Sequence, residues 1–356
     1  MSEVVTWRGK LAITGIGLVT PVGLSAAAST AALRAGISRI GDLPGFTVPN
    51  AAGEPQPATG AEVPVVPGNR QGPARLLRLA EQALREAVGD ARLSQKQRCA
   101  LLVGTPGPNP ARRTLSYSAV LSQGLERVLA GLVGASRVQL FETGRASALQ
   151  ALRMAANVLT MENPPDAAIV GGVDSLINPL TMRFLQSSGR LREGRKSTGI
   201  LPGEGAGFLV VETPERAARR GAAILATVEA AAGGVDLTPA NKPNRAVVLG
   251  RVLRGIADKL TDPAMLIISD LNGERHRAYE WMFASTRAPF FHSGTPHWLP
   301  SESIGDAGAA TGAIDSAWAV TALRRGYAGG SEALVWGASD EGPREAIVFK
   351  RAMGGS

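Results

Sequence analysis

The chain has 356 residues, enough to bury a large core and more than one domain usually holds. A hydrophobic content of 44%, with 43 glycines and 4% aromatic residues, fits an Ala/Gly-rich α/β protein with close helix–sheet packing. The net charge of +8 comes from 32 arginines against 6 lysines, spread along the chain without an aromatic-interleaved stripe. That argues against a nucleic-acid footprint and leaves an acidic protein partner open.

The opening "MSEVVTWRGKLAITGIGLVTPVGLSAAAST" mimics a signal peptide, but Gly15, Gly17, Pro21 and Gly23 break it into a strand and a turn. No apolar run approaches the ~18 residues of a membrane span, so a soluble, cytoplasmic protein is expected. Residues 40–73 are rich in Pro and Gly and read as a surface excursion rather than a packed element. "GPARLLRLAEQALREAVGDA" has the spacing of an amphipathic helix with Pro73 in its first turn. "QRCALLVGT" reads as a strand, and its Cys99, the one cysteine of the chain, reads as a buried structural thiol. A lone cysteine excludes an internal disulfide and a multi-cysteine metal site. His276, His292 and His297 show no ligand spacing, so neither metal nor cofactor is expected.

"SRVQLFE" is strand-like and runs through "TGRAS" straight into a helix marked by Leu149, Leu152, Ala156 and Leu159. A strand feeding a helix aims backbone N–H groups and a positive dipole end into the turn, which suits an anion or a thiolate. The turn instead carries Arg145, a permanent cation. Further on, "AAIVGGVDSL", "GEGAGFLVVE", "AAILATVEAAAGG" and "AMLIISDLNGE" read as strands. "RAVVLGRVLRGIADKL" and "DSAWAVTALRRGY" read as helices, and "EALVWGASDE" with "EAIVFKR" as a C-terminal hairpin. Such alternation predicts stacked βαβ units covered on both faces.

Four blocks in order carry a family resemblance: "LAITGIGLVTPVGLS", "AAIVGGVDSLINPLT", "LPGEGAGFLVVETPERAARRGAAILA" and "SIGDAGAATGA". Together they resemble the β-ketoacyl synthases of the thiolase-like superfamily. The resemblance implies a five-layered αβαβα fold made of two similar βαβαβ halves, divided here as 1–212 and 213–356, and usually a homodimer.

In condensing members the turn before the central helix carries a cysteine, and "TGRAS" resembles that motif with Arg145 at the nucleophile position. "SDLNGE" leaves Asn272 where the first catalytic histidine would stand, and "SIGDAG" leaves Asp306 where the second would. The supporting lysine five residues earlier is Ser301. The late Gly/Phe-rich gating loop is replaced by "WGASDEG", and the polar loop before "GEGAG" is shortened to "REGRKSTGI". Claisen condensation needs a thiolate to carry the acyl group, and arginine stays protonated. The histidines stabilise the thioester enolate by hydrogen bonds; Asn272 retains one donor, whereas the Asp306 carboxylate would repel the enolate. Some relatives exchange the cysteine for glutamine, keep both histidines and decarboxylate. This chain fails that lesser requirement as well, and no condensing activity is expected. Among neighbouring groups, Cys99 lies on a different strand, Ser147 suits a capping or packing role, and His276 suits an exposed loop.

A lone buried charge is costly, so Arg145 is expected to pair with Asp306 or with Glu274, plugging the acyl tunnel. A receptor for a carboxylate or phosphate is the rival reading. The favoured function is a catalytically inactive scaffold, adaptor or heteromeric partner, extending to an accessory protein of type VI secretion effectors. The alternatives are an acyl-carrier-protein or acyl-CoA binding subunit resembling a chain-length factor, and an enzyme of non-condensing chemistry using Asp270, Glu274 or Asp306. In each case the partner is a protein, in a homodimer or a heterodimer with a related subunit.

Overall fold

The computed structural model describes residues 3–50, 52–64, 72–107, 117–134, 136–193, 197–238, 244–263, 265–288 and 290–352. In chain order the elements are β1 (Val4–Val19), α1 (Ala26–Arg34), β2 (Gly41–Pro49), β3 (Pro55–Gly60), α2 (Pro73–Asp90), β4 (Cys99–Gly104), α3 (Tyr117–Ala130), β5 (Ser136–Phe141), α4 (Ser147–Thr160), β6 (Ala167–Ser175), α5 (Pro179–Ser187), β7 (Glu204–Glu212) and α6 (Pro214–Arg219). They continue with β8 (Ala226–Val235), α7 (Val247–Ile256), β9 (Leu266–Ser269), α8 (Arg275–Ser285), β10 (His297–Trp298), α9 (Ser301–Ile304), α10 (Thr311–Arg324), β11 (Glu332–Ala338) and β12 (Pro343–Arg351).

Ten of the strands form one mixed sheet in the order β10-β9-β11-β12-β8-β1-β7-β6-β4-β5. Outward from the central antiparallel pair β1–β8, each arm repeats one pattern. The next two contacts are antiparallel (β1–β7–β6 and β8–β12–β11) and the outer two parallel (β6–β4–β5 and β11–β9–β10). The parallel strands are joined through helices, as parallel pairing requires.

One core joins α2 and α3 to the first arm, and another joins α7 and α8 to the second. A third holds α4 and α10 between the two arms. Every residue of α10 from Thr311 to Leu323 is buried, and its small side chains (Gly312, Ala313, Ala317, Ala319, Ala322) allow sheet on both sides. Helix α2 begins with Pro73 at its first position and buries Leu76, Leu79, Ala83, Leu84 and Ala87 at helical spacing. Leu79 and Leu84, fully buried, each contribute about 1.5–3 kcal/mol of transfer free energy. The strand beneath is close enough that a Cβ at Gly17 would stand 2.0 Å from the Ala83 carbonyl oxygen, so glycine is required there.

The expected excursion over 40–73 needs correction. Residues 41–60 contain the antiparallel pair β2–β3, whose Leu43, Val48 and Ala58 pack with Leu185, Leu191 and Ile200. Two-stranded edges tolerate proline because one N–H row is not needed. Residues 65–71, and 194–196 of the shortened polar loop, lie outside the described residues. Among the described residues no helix is long and apolar enough to cross a membrane.

Candidate functional site

Three chain segments converge where β5 turns into α4. Gly144, at φ +72°, opens a single helical turn whose next residue is Arg145. That turn lays Arg145 inward, 8% exposed. Asp306 follows α9 and Gly305, the latter at φ +68°. Its backbone is held by Asp306 N–H donating to Leu201 O (2.7 Å) and Gly203 N–H donating to Asp306 O (2.9 Å). Asn272 and Glu274 sit in the turn between β9 and α8.

Arg145 Nε and Nη2 donate to Asp306 Oδ2 at 2.8 and 2.5 Å, and Nη1 reaches Asp340 Oδ2 at 3.3 Å. Asn272 Nδ2 donates to the same Asp306 oxygen (2.6 Å) and to Glu274 Oε2 (3.2 Å). Gly308 N–H fills Asp306 Oδ1 at 2.8 Å. Arg190 grips Glu274 with two parallel bonds of 2.7 and 2.8 Å, and Arg277 reaches Asp270 at 3.4 Å. Arg145, Asn272, Glu274 and Asp306 thus belong to one buried network. Ser301 lies outside it, donating to the Leu271 carbonyl.

The charges are mutually fixed. Burial pulls the Arg145 pKa down, but Asp306 and Asp340 more than reverse this and raise it well above the ordinary arginine value. Burial pushes Asp306 up, and the Arg145 charge with bonds from Arg145, Asn272 and Gly308 holds it below the usual carboxylate range. Burial likewise opposes ionisation of Glu274, and Arg190 and Arg145 hold it low. Asp270 is raised by burial despite Arg277. Beside the cluster remains a cavity of about 60 Å³, lined by Arg145, Arg190, Asp340, Glu341 and Gly107 among others. Small-molecule pockets occupy roughly 300–1,000 Å³.

The other nucleophile and base candidates lie elsewhere. Cys99 starts β4 in the outer core, and burial pushes its thiol up to about 12. Ser147 is fully buried against β4; a Cβ at Gly104 would stand 2.4 Å from its Oγ. His276 is exposed on the first turn of α8. His297 contacts Ser269 Oγ at 2.7 Å, with burial pushing its pKa down to about 4. Among the described residues no group of three or more His, Cys, Asp or Glu side chains could hold a metal ion.

Sequence reasoning missed Arg190, Arg277 and Asp340, which complete the network from three separate elements. It also missed Asp315, wholly buried on α10 with neither carboxylate oxygen bonded. Only the Glu274–Arg277 spacing of three left a local signal.

Residues 9–217 match the family described as Beta-ketoacyl synthase, N-terminal domain. A curated relative, the pikromycin polyketide synthase component PikAII of Streptomyces venezuelae, is 29% identical over 202 residues. That match covers 50% of this chain and 5% of the much longer relative. Among solved structures, AntDE:AntF, a type II PKS acyl-carrier protein in complex with its ketosynthase bound to the hexaketide, is similar with a TM-score of 0.79 and 18% identity, over 97% of this chain and 100% of that one. The ishigamide ketosynthase/chain length factor gives 0.78 and 20%, over 98% and 100%. The ketosynthase from module 6 of the Bacillus subtilis 168 bacillaene synthase gives 0.77 and 15%, over 97% and 72%. These likenesses establish the shared fold.

Proposed function

The chain belongs to the β-ketoacyl synthase family, and from that premise we propose that it is a non-condensing member, a chain-length-factor-like subunit that pairs with an active ketosynthase. The observation that carries this reading is Arg145, seated at the head of α4 and locked to Asp306 by two charged hydrogen bonds. A condensing site needs a thiolate at that turn; a guanidinium held in its charged form neither attacks a thioester nor accepts an acyl group. Where an enolate oxygen needs donors, Asn272 Nδ2 is already committed to Asp306 and Glu274, and Asp306 presents negative charge. Among the described residues, the space of about 60 Å³ beside this cluster is too small for a pantetheine arm or an acyl chain.

The partner reading draws on different support. Two similar structures are named for a ketosynthase with its acyl-carrier protein and for a ketosynthase with its chain-length factor. They weigh toward a subunit of polyketide or fatty-acid assembly over an adaptor for secretion effectors. Strand β5 ends the ten-stranded sheet, so one row of its backbone groups faces outward for pairing with another chain. The net charge of +8 favours approach of an acidic carrier protein. The division into halves at residue 212 belongs to the same reading.

The test is intact-mass spectrometry of the purified chain after incubation with acyl and malonyl thioesters, with released carbon dioxide measured in parallel. An unchanged mass and no decarboxylation above buffer are expected. An acyl adduct on this chain would overturn the proposal.

A further inference from the structure

The arginine network has a permanent inner side and an outer side built differently. Each guanidinium spends part of its donor set on a buried carboxylate: Arg145 on Asp306, Arg190 on Glu274, Arg277 on Asp270. Those three acceptor side chains are 2%, 6% and 1% exposed. Each guanidinium then aims one further N–H at a single group, Asp340. Arg145 Nη1 lies 3.3 Å and Arg190 Nη1 2.8 Å from its Oδ2, and Arg277 Nη2 lies 2.8 Å from its Oδ1. The Asp340 side chain is 36% exposed.

Asp340 is the second residue of the turn Ser339–Gly342 that closes the β11–β12 hairpin. The turn backbone is pinned. Ser339 N–H donates to Pro343 O (2.8 Å) and Ala146 N–H to Ser339 Oγ (2.8 Å). Arg344 Nη1 donates to the carbonyls of Ser339 (2.7 Å) and Gly342 (3.0 Å). The loop is therefore no lid, and what can leave is the side chain, by rotation about its own bonds. The small cavity adjoins Arg145, Arg190 and Asp340.

We propose that Arg145, Arg190 and Arg277 form an oxyanion receptor that Asp340 occupies as an internal ligand, and that a small carboxylate is the class of external ligand that takes its place. Three N–H groups from three elements converging on one solvent-reached carboxylate make a recognition geometry rather than a packing one. The inner carboxylates keep the guanidiniums oriented when Asp340 departs, so the receptor is preorganised. Glu341 lines the same cavity and adds a second acidic group, which favours a monoanion over a dianion. The inference holds whichever protein the chain pairs with.

The experiment is thermal unfolding of wild type, Asp340→Ala, Asp340→Asn and the double variant Asp340→Ala with Arg190→Gln, in chloride, acetate and phosphate at equal ionic strength. Asp340→Ala should gain several degrees in acetate over chloride, saturably, with phosphate less effective. Wild type should respond alike to all three salts, and Arg190→Gln should abolish the acetate response. If Asp340→Ala does not fold, Asp340→Asn takes the same titration, with acetate binding read by ligand-observed NMR. Equal melting in acetate and chloride, a response that survives Arg190→Gln, phosphate matching acetate, or no acetate binding to Asp340→Asn would each overturn the proposal.

Discussion

Replacing Arg145 with methionine keeps much of the side-chain length and removes the charge that the network is built around. Asp306, 2% exposed at its side chain, would retain bonds from Asn272 (2.6 Å) and Gly308 (2.8 Å) but lose both guanidinium bonds. Removing one partner of a buried pair costs about 3–5 kcal/mol, and the two surviving donors place this case near the lower end, about 3 kcal/mol. The longer Asp340 contact (3.3 Å) is lost as well, but that carboxylate keeps Arg190 and Arg277 at 2.8 Å each. Arg145→Met combined with Asp306→Asn removes both charges and should cost about 1 kcal/mol, about 2 kcal/mol less than Arg145→Met alone, so the two substitutions are not additive.

In the wild type Asp306 is held below its unfolded value, so its contribution is present above a pH of about 4 and fades as pH falls through the folded pKa. In Arg145→Met, burial dominates and lifts the folded pKa above the unfolded one, so the penalty is full at neutral pH and shrinks on acidification. Urea unfolding of both proteins at pH 7 and pH 4.5 measures the gap. A loss below ~0.5 kcal/mol at pH 7, within the range of ordinary surface substitutions, or an equal loss at both pH values, would refute the reasoning.

Three more outcomes are expected. Asp315→Asn should stabilise the protein at pH 8 by more than about 1 kcal/mol, because folding the ionised Asp315 into its partnerless buried site requires taking up a proton that a neutral amide does not need. Burial raises the folded Asp315 pKa well above its ordinary value, so wild-type stability falls as pH rises through it; denaturant curves should show the gain vanishing near pH 4. Native protein at pH 8 should label with a thiol reagent no faster than it unfolds, since Cys99 is held at about 12; fast labelling would contradict its burial. Leu43→Ala should cost about 2 kcal/mol, the low end for a core truncation, because its cluster with Val48 and Ala58 is small; an unchanged melting temperature would contradict the packed β2–β3 pair.

Legibility of the sequence followed local punctuation. Arg145, Asn272 and Asp306 stand beside glycines that turn a strand or a short helix, so their positions are marked within a few residues. Arg190, Arg277 and Asp340 come from a loop after α5, the first turn of α8 and a hairpin tip, and only tertiary structure brings them together. The β2–β3 pair was hidden by Pro44, Pro49, Pro55 and Pro57, which read as loop yet are tolerated at an edge. Helix α8 escaped because its sequence "RHRAYEWMFAS" lacks an apolar stripe, leaving Tyr279, Met282 and Phe283 exposed. Asp315 lies in a run of small and aromatic residues where a single acid reads as a solvated position, whereas α10 has no solvated side.

The role proposed for this chain is that of a non-condensing partner of a ketosynthase. Affinity purification of the tagged protein from its native host, followed by native mass spectrometry with acyl substrate, tests it most directly. The account predicts a one-to-one complex with a ketosynthase, in which the acyl group resides on the partner's cysteine and never on this chain. Recovery of the chain alone or with proteins outside acyl-chain assembly, or an acyl group attached to this chain, would contradict it.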